Sequence, residues 1–200
     1  MSSSENATQP AEDRQVYKVL IDAPIETVWN TLVRTDEVLP FFFGAVCEAE
    51  NGQLTVGHRM RMVTPNRKFA SVVGKVTEFT PPHRYAHTFK FTQWDDEYCT
   101  VTYDLRETAE GVEFSLITTG VPAGTKTAKS MADGGAFITQ NLKILVETGK
   151  PAFSGRMVML LGPVMALMTP SACRSENWPL VGPEVASTAM ESVNPEASNG

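Results

Sequence analysis

Cysteine, histidine and clustered basic residues are scarce in this 200-residue chain, and each shortage excludes a class of function. Cys47, Cys99 and Cys173 are odd in number and far apart, so their spacing supports neither a disulfide framework nor a metal site. His58, His83 and His87 also fall outside ligand spacing, and no thiol or carboxylate cluster accompanies them. No metal and no other cofactor is therefore expected. The net charge of −6 comes without any run of Lys or Arg, which argues against a nucleic-acid partner because phosphate neutralisation needs a basic patch. No apolar run approaches the roughly 20 residues that cross a bilayer core, so no integral membrane span is expected. A basic segment leading into an apolar one is missing from the first residues, and a reduced, cytoplasmic protein is the expectation. Phosphate-cradling Gly loops are lacking, and Ser130 and Ser171 have no nucleophile-elbow context.

What the chain does have is one strongly periodic segment. From about Lys126 to Thr148, Met131, Ile138, Leu142 and Leu145 recur at helical spacing, and Phe137 and Ile144 widen the stripe. Gly149 is placed for a left-handed cap, and Pro151 cannot continue the helix. Gly134-Gly135 leaves two readings: the helix begins at Ala136, or it is continuous and thinned so that something can approach closely. Before it, Gln15 to Ile21 reads as a strand with apolar residues on both sides, hence covered in part on both faces. Ala23-Pro24 opens a short helix carrying Val28, Trp29, Leu32 and Val33 inward, and Thr35-Asp36 can cap a second one ending near Pro40. From Val46 to Thr119 the pattern is strand and turn. Met60 and Met62 face inward against Arg59 and Arg61, and Gly74 marks a bulge or bend. Tyr85, His87, Phe89 and Phe91 share one face, and Cys99, Val101, Tyr103 and Leu105 another. Turns every 10 to 16 residues or so favour an antiparallel meander, curled around the long helix by its own twist.

The order of elements, with Val76-Thr77-Glu78-Phe79-Thr80-Pro81-Pro82-His83-Arg84-Tyr85, Val101-Thr102-Tyr103-Asp104-Leu105 and the run from Asn141 to Pro151, resembles the START-type superfamily. That superfamily is also called SRPBCC or birch-pollen-allergen-like. The branch it resembles is the one related to the C-terminal domain of the activator of the heat-shock ATPase chaperone. The resemblance covers Val16 to Pro151, about two thirds of the chain. It implies an α+β helix-grip fold, with a curved antiparallel sheet of about seven strands wrapped around a long C-terminal helix and two short helices after the first strand. It also implies a cavity between sheet and helix. It implies no catalytic motif, because members range from hydrophobic-ligand carriers to polyketide cyclases, ring-hydroxylase subunits and co-chaperone domains.

The domain reading is a polar, disordered 1–14, a folded domain at 15–151, an apolar extension at 152–182 and a second disordered tail at 183–200. The expected function is binding of a small hydrophobic molecule rather than catalysis. Phe41, Phe43, Met60, Met62, His87, Phe89, Tyr103, Phe114, Phe137 and Asn141 would line the site. The Phe41-Phe42-Phe43 run reads either as a plug under a loop or as the cavity rim. An imidazole on an apolar face is usually a hydrogen-bonded structural group, and otherwise a polar anchor or a general acid/base. The alternatives are a cyclase- or hydrolase-type enzyme using His87, and an interaction module like the chaperone activator. The apolar segment 156–168 either packs on the domain, forms a homodimer interface or lies on a membrane surface, the lack of flanking Lys and Arg counting against the last. Trp178 reads as the anchor of a docked tail.

Overall fold

Each polar turn between residues 46 and 119 sends the chain back beside the strand it has just left, and the result is one antiparallel sheet. The computed structural model describes residues 14–166 and 169–181. The expectations for the N-terminal residues before these, for 183–200 and for the end of the 156–168 segment lie outside them. Eight strands are present among the described residues: β1 (Gln15–Ile21), β2 (Val38–Leu39), β3 (Ala45–Ala49), β4 (Arg59–Val63), β5 (Ala70–Thr80), β6 (Arg84–Phe91), β7 (Cys99–Thr108) and β8 (Gly111–Thr119). Their spatial order is β1-β8-β7-β6-β5-β4-β3-β2, a meander from β2 to β8 with β1 added at the far edge. The helices are α1 (Ile25–Leu32), α2 (Lys126–Thr148) and α3 (Phe153–Ala166).

α2 is continuous over the span that the periodicity predicts. Thr125 caps its start by accepting from the Ala128 N–H. Gly149 closes its end at φ 67°, donating to the Leu145 carbonyl. Close approach explains Gly135, the second glycine of the pair. A Cβ on Gly135 would lie 2.2 Å from the Tyr17 ring of β1, whose hydroxyl donates to the Ala132 carbonyl. The helix is thinned there so that the first strand can lie against it. Met131, Ile138 and Leu142 are buried against the concave face of the sheet, whereas Ile144 is 38% exposed and falls outside the stripe.

One other expectation is corrected. The segment capped by Thr35-Asp36 does not form a second helix. Asp36 takes a positive φ of 62° and donates its N–H to the Cys47 carbonyl, and Val38–Leu39 pairs with Val46 and Ala45 as the edge strand β2. Sheet pairing satisfies that backbone where a short isolated helix would leave most of its groups to water. β1 is buried on one face and covered in part on the other: Val19 and Ile21 are buried, while Val16 and Leu20 are about 40% exposed.

The main core fills the space between sheet, α1 and α2, and a second apolar cluster lies elsewhere on the strands β3 to β5. It comprises Val46, Val63, Ala70 and Val73, and Trp178 rests on it. The tail is fixed there by backbone pairing of Phe69 with Arg174 and by Arg61, whose guanidinium donates to the Ser175 and Trp178 carbonyls at 2.8 Å. Arg61 also pairs with Glu48, a buried carboxylate shared with Arg67. Leaving that carboxylate unpaired would be costly, which ties the tail to the sheet through a single charged hub.

Candidate functional site

Strand alternation sends Tyr85, His87 and Phe89 of β6 inward beside Tyr103 of β7 and Phe114 of β8, as the sequence pattern predicts. The rings form one continuous stripe. Tyr85 lies 5.2 Å from His87 and 5.5 Å from Tyr103, His87 lies 5.9 Å from Tyr103, and Tyr103 stacks on Phe114 at 6.1 Å between centroids. Met60 and Met62 of β4 are buried in the same core.

His87 is the polar centre of this stripe and is 1% exposed. Its Nδ1 lies 2.8 Å from the Thr88 carbonyl oxygen. A carbonyl can only accept, so Nδ1 carries the proton and Nε2 presents a lone pair. That lone pair has no partner among the described residues, and neither does the buried Tyr85 hydroxyl. Burial holds the imidazole down at about 4, only partly offset by the Thr88 carbonyl, so it is neutral at ordinary pH. Burial pushes the Tyr85 phenol far up and Tyr103 up as well, with the Cys47 thiol adding to both. Cys47 itself is pushed up to about 12 by burial, then by Asp36 and Glu48, and Cys99 to about 11 by burial. Both thiols are therefore inert as nucleophiles near neutrality. The site offers one fixed acceptor and one free hydroxyl inside an apolar interior.

Gly74 of β5 holds this arrangement in place. A Cβ there would lie 1.8 Å from the Thr88 carbonyl oxygen and 3.4 Å from His87 Nδ1. Gly74, where the sequence suggested a bulge or bend, stays in register and is the place where β5 admits the carbonyl that fixes the His87 tautomer; the register shift between β5 and β6 falls at Val76/Glu78. The contact joins residues on different strands and leaves no mark in local sequence. Tyr85 is absent from the residues predicted to line the site, although it shares parity with His87. Its signal was the alternation itself.

The remaining candidates lie apart from this stripe. Phe41 is 2% exposed and belongs to the core, while Phe43 is 45% exposed and stacks on Phe137 of α2 at 4.4 Å and 7°. Asn141 is buried, but its amide donates to the Phe137 carbonyl and its oxygen accepts from Ser154 of α3. It fastens α3 to α2. Surface clefts of about 480 and 470 Å³ lie among the described residues. One is lined by Lys18 to Leu20 and Thr108 to Glu110, the other by Val33 and Gly52 to Val56. Neither contains a residue of the stripe. Among the described residues no group of His, Cys, Asp or Glu converges as metal ligands would, and no helix is long and apolar enough to cross a membrane.

A sheet curled around one long C-terminal helix, with an inward-facing stripe of rings, defines a helix-grip protein. The model of the family described as Activator of Hsp90 ATPase homolog 1-like protein matches residues 22–147, and the chain belongs to that family. Among solved structures, an HSP90 activator from Plasmodium falciparum is 25% identical, with 70% of this chain and 98% of that one covered and a TM-score of 0.52. A protein from Mesorhizobium loti is 20% identical, covering 68% and 98%, at a TM-score of 0.56. An Aha1 dimer from Colwellia psychrerythraea is 15% identical, covering 68% and 98%, at 0.54. The last two likenesses are of fold. No curated protein matches the sequence.

Proposed function

We propose that the domain binds a small, largely apolar molecule in the interior between sheet and α2, held at one polar point by His87 and Tyr85. The reading rests on one observation: two polar atoms, His87 Nε2 and Tyr85 Oη, are buried without a partner in an apolar surround. Each such atom costs about 1–3 kcal/mol, so a fold that keeps two of them on neighbouring rings of one stripe is suited to a guest that satisfies them. Because Nε2 can only accept, the guest should carry an N–H or O–H donor. The flexible Met60, Met62 and Met131 side chains around the stripe suit an interior that reshapes on filling. A general acid/base role for His87 has less support, since catalysis near neutrality favours a pKa near the operating pH rather than about 4.

The test is titration of the full chain with 1-aminoanthracene, an apolar fluorophore carrying an N–H donor. Saturable one-to-one binding is expected, weakened by about five- to tenfold in His87→Leu through loss of one hydrogen bond. Fluorescence that rises without saturating, or binding indifferent to His87, would remove the reading.

A second reading, that the chain is a co-chaperone module, is favoured by the family match and by the 25% identity to the Plasmodium HSP90 activator. It is tested by whether the immobilised chain retains an Hsp90-type ATPase with nucleotide present and accelerates its hydrolysis. Retention without acceleration, or neither, would count against it.

A further inference from the structure

We propose that α3 is a docking helix for the surface of an anionic phospholipid bilayer, a role that stands independently of the interior site. α3 lies outside the segment that matches the family. Its buried side is accounted for. Gly155 faces the Pro40 carbonyl and the Asn141 oxygen, either of which would lie 3.0 Å from an added Cβ, and Met159 lies over Gly44. Among its described side chains, those on the other side are bare. Phe153 is 77% exposed, Leu160 72% and Met157 39%, at spacings of four and three residues that place them along one helix face. The half-exposed Phe43, next to Gly44, borders the same region.

Charge selects the occupant of this face. Residues 148–175 contain no Asp or Glu, in a chain whose net charge is −6. Within that stretch Lys150 and Arg156 are exposed, and Arg174 is also exposed but pairs with Glu176. Large apolar side chains on a stretch of chain that holds exposed Lys150 and Arg156 and no acid match the headgroup–acyl boundary of an anionic leaflet. A second copy fits less well. A two-fold contact centred near Met157 would bring both Arg156 side chains together with no acid in the segment to pair them. The segment's lack of immediately flanking basic residues is outweighed by the absence of acids over the longer window.

The experiment is co-sedimentation of the full chain with vesicles of phosphatidylcholine alone, or with about one quarter phosphatidylglycerol. Binding is expected for the anionic vesicles, with a partition coefficient about tenfold or more above that for phosphatidylcholine alone. Phe153→Gln with Leu160→Gln should lower it about tenfold or more, with an unchanged thermal transition because both side chains already face solvent. Lys150→Gln with Arg156→Gln should abolish the preference for anionic vesicles. No sedimentation with either vesicle, or equal binding by the wild type and the Phe153/Leu160 variant, overturns the proposal. So does a dimer in analytical ultracentrifugation that the Phe153/Leu160 variant dissociates, because the face then belongs to a second copy.

Discussion

Gly74→Ala is expected to destabilise the domain by about 3 kcal/mol or more, although it adds a single methyl group. The new Cβ would fall 1.8 Å from the Thr88 carbonyl oxygen, a backbone atom that cannot swing aside. β5 and β6 would have to separate in the middle of the sheet, where Val73 pairs with Lys90 and Val76 with His87. The displaced carbonyl is also the acceptor of the His87 Nδ1–H, so the tautomer would lose its anchor in the same step. For a domain of this size the melting temperature should fall by roughly 6–12 °C. Gly134→Ala provides the contrast. Its Cβ would meet nothing closer than Phe43 Cζ at 3.6 Å, and helix propensity should return up to about 1 kcal/mol. Thermal denaturation of the two variants side by side checks the pair. Equal melting temperatures would mean that the sheet is more pliable at Gly74 than its geometry indicates.

Acid is expected to unfold this protein partly through His87. The folded chain holds the imidazole neutral down to about 4, whereas the unfolded side chain protonates near 6.5. Between those values the unfolded state carries a proton that the folded state excludes, so stability rises with pH across the window and is lost as pH falls through it. The full effect is about 3 kcal/mol, at 1.36 kcal/mol per unit. The titratable groups around the ring, Tyr85, Tyr103 and Cys47, all stay protonated throughout, because burial pushes each of them up. Glu113 and Glu147 also lose stabilising partners in acid, so the measurement must be a difference. Urea denaturation from pH 7 to 4 should show a steeper loss for the wild type than for His87→Leu. Parallel curves would mean that water reaches the imidazole in the folded state.

Much of the architecture could be read in advance because it is written in local periodicity. Met131, Ile138 and Leu142 announce α2 at helical spacing, and Gly149 with Pro151 ends it. The inward parity of Met60, Met62, His87, Phe89 and Tyr103 needed nothing beyond alternation. Failures occurred where a distant partner decided the outcome. Thr35-Asp36 looks like a helix cap, but hydrogen bonding to Cys47 and pairing of Val38 with Val46 draw that segment into the sheet. Leu20 looks like a core residue, yet among the described residues it stays 39% exposed. The candidate site divides along the same line. Local pattern brought His87 inward, but the bare Nε2, the free Tyr85 hydroxyl and the contact between Gly74 and Thr88 depend on what meets β6 from elsewhere in the chain, β5 included.

Whether the grip encloses a guest is tested most directly by native mass spectrometry of the full chain as purified, with organic extraction of anything that leaves it. A single additional small mass per chain is expected, dissociating on activation, carrying an N–H or O–H group and diminished in His87→Leu. Bare polypeptide from every preparation, unchanged after incubation with apolar amines and alcohols, would mean that the ring stripe is only core.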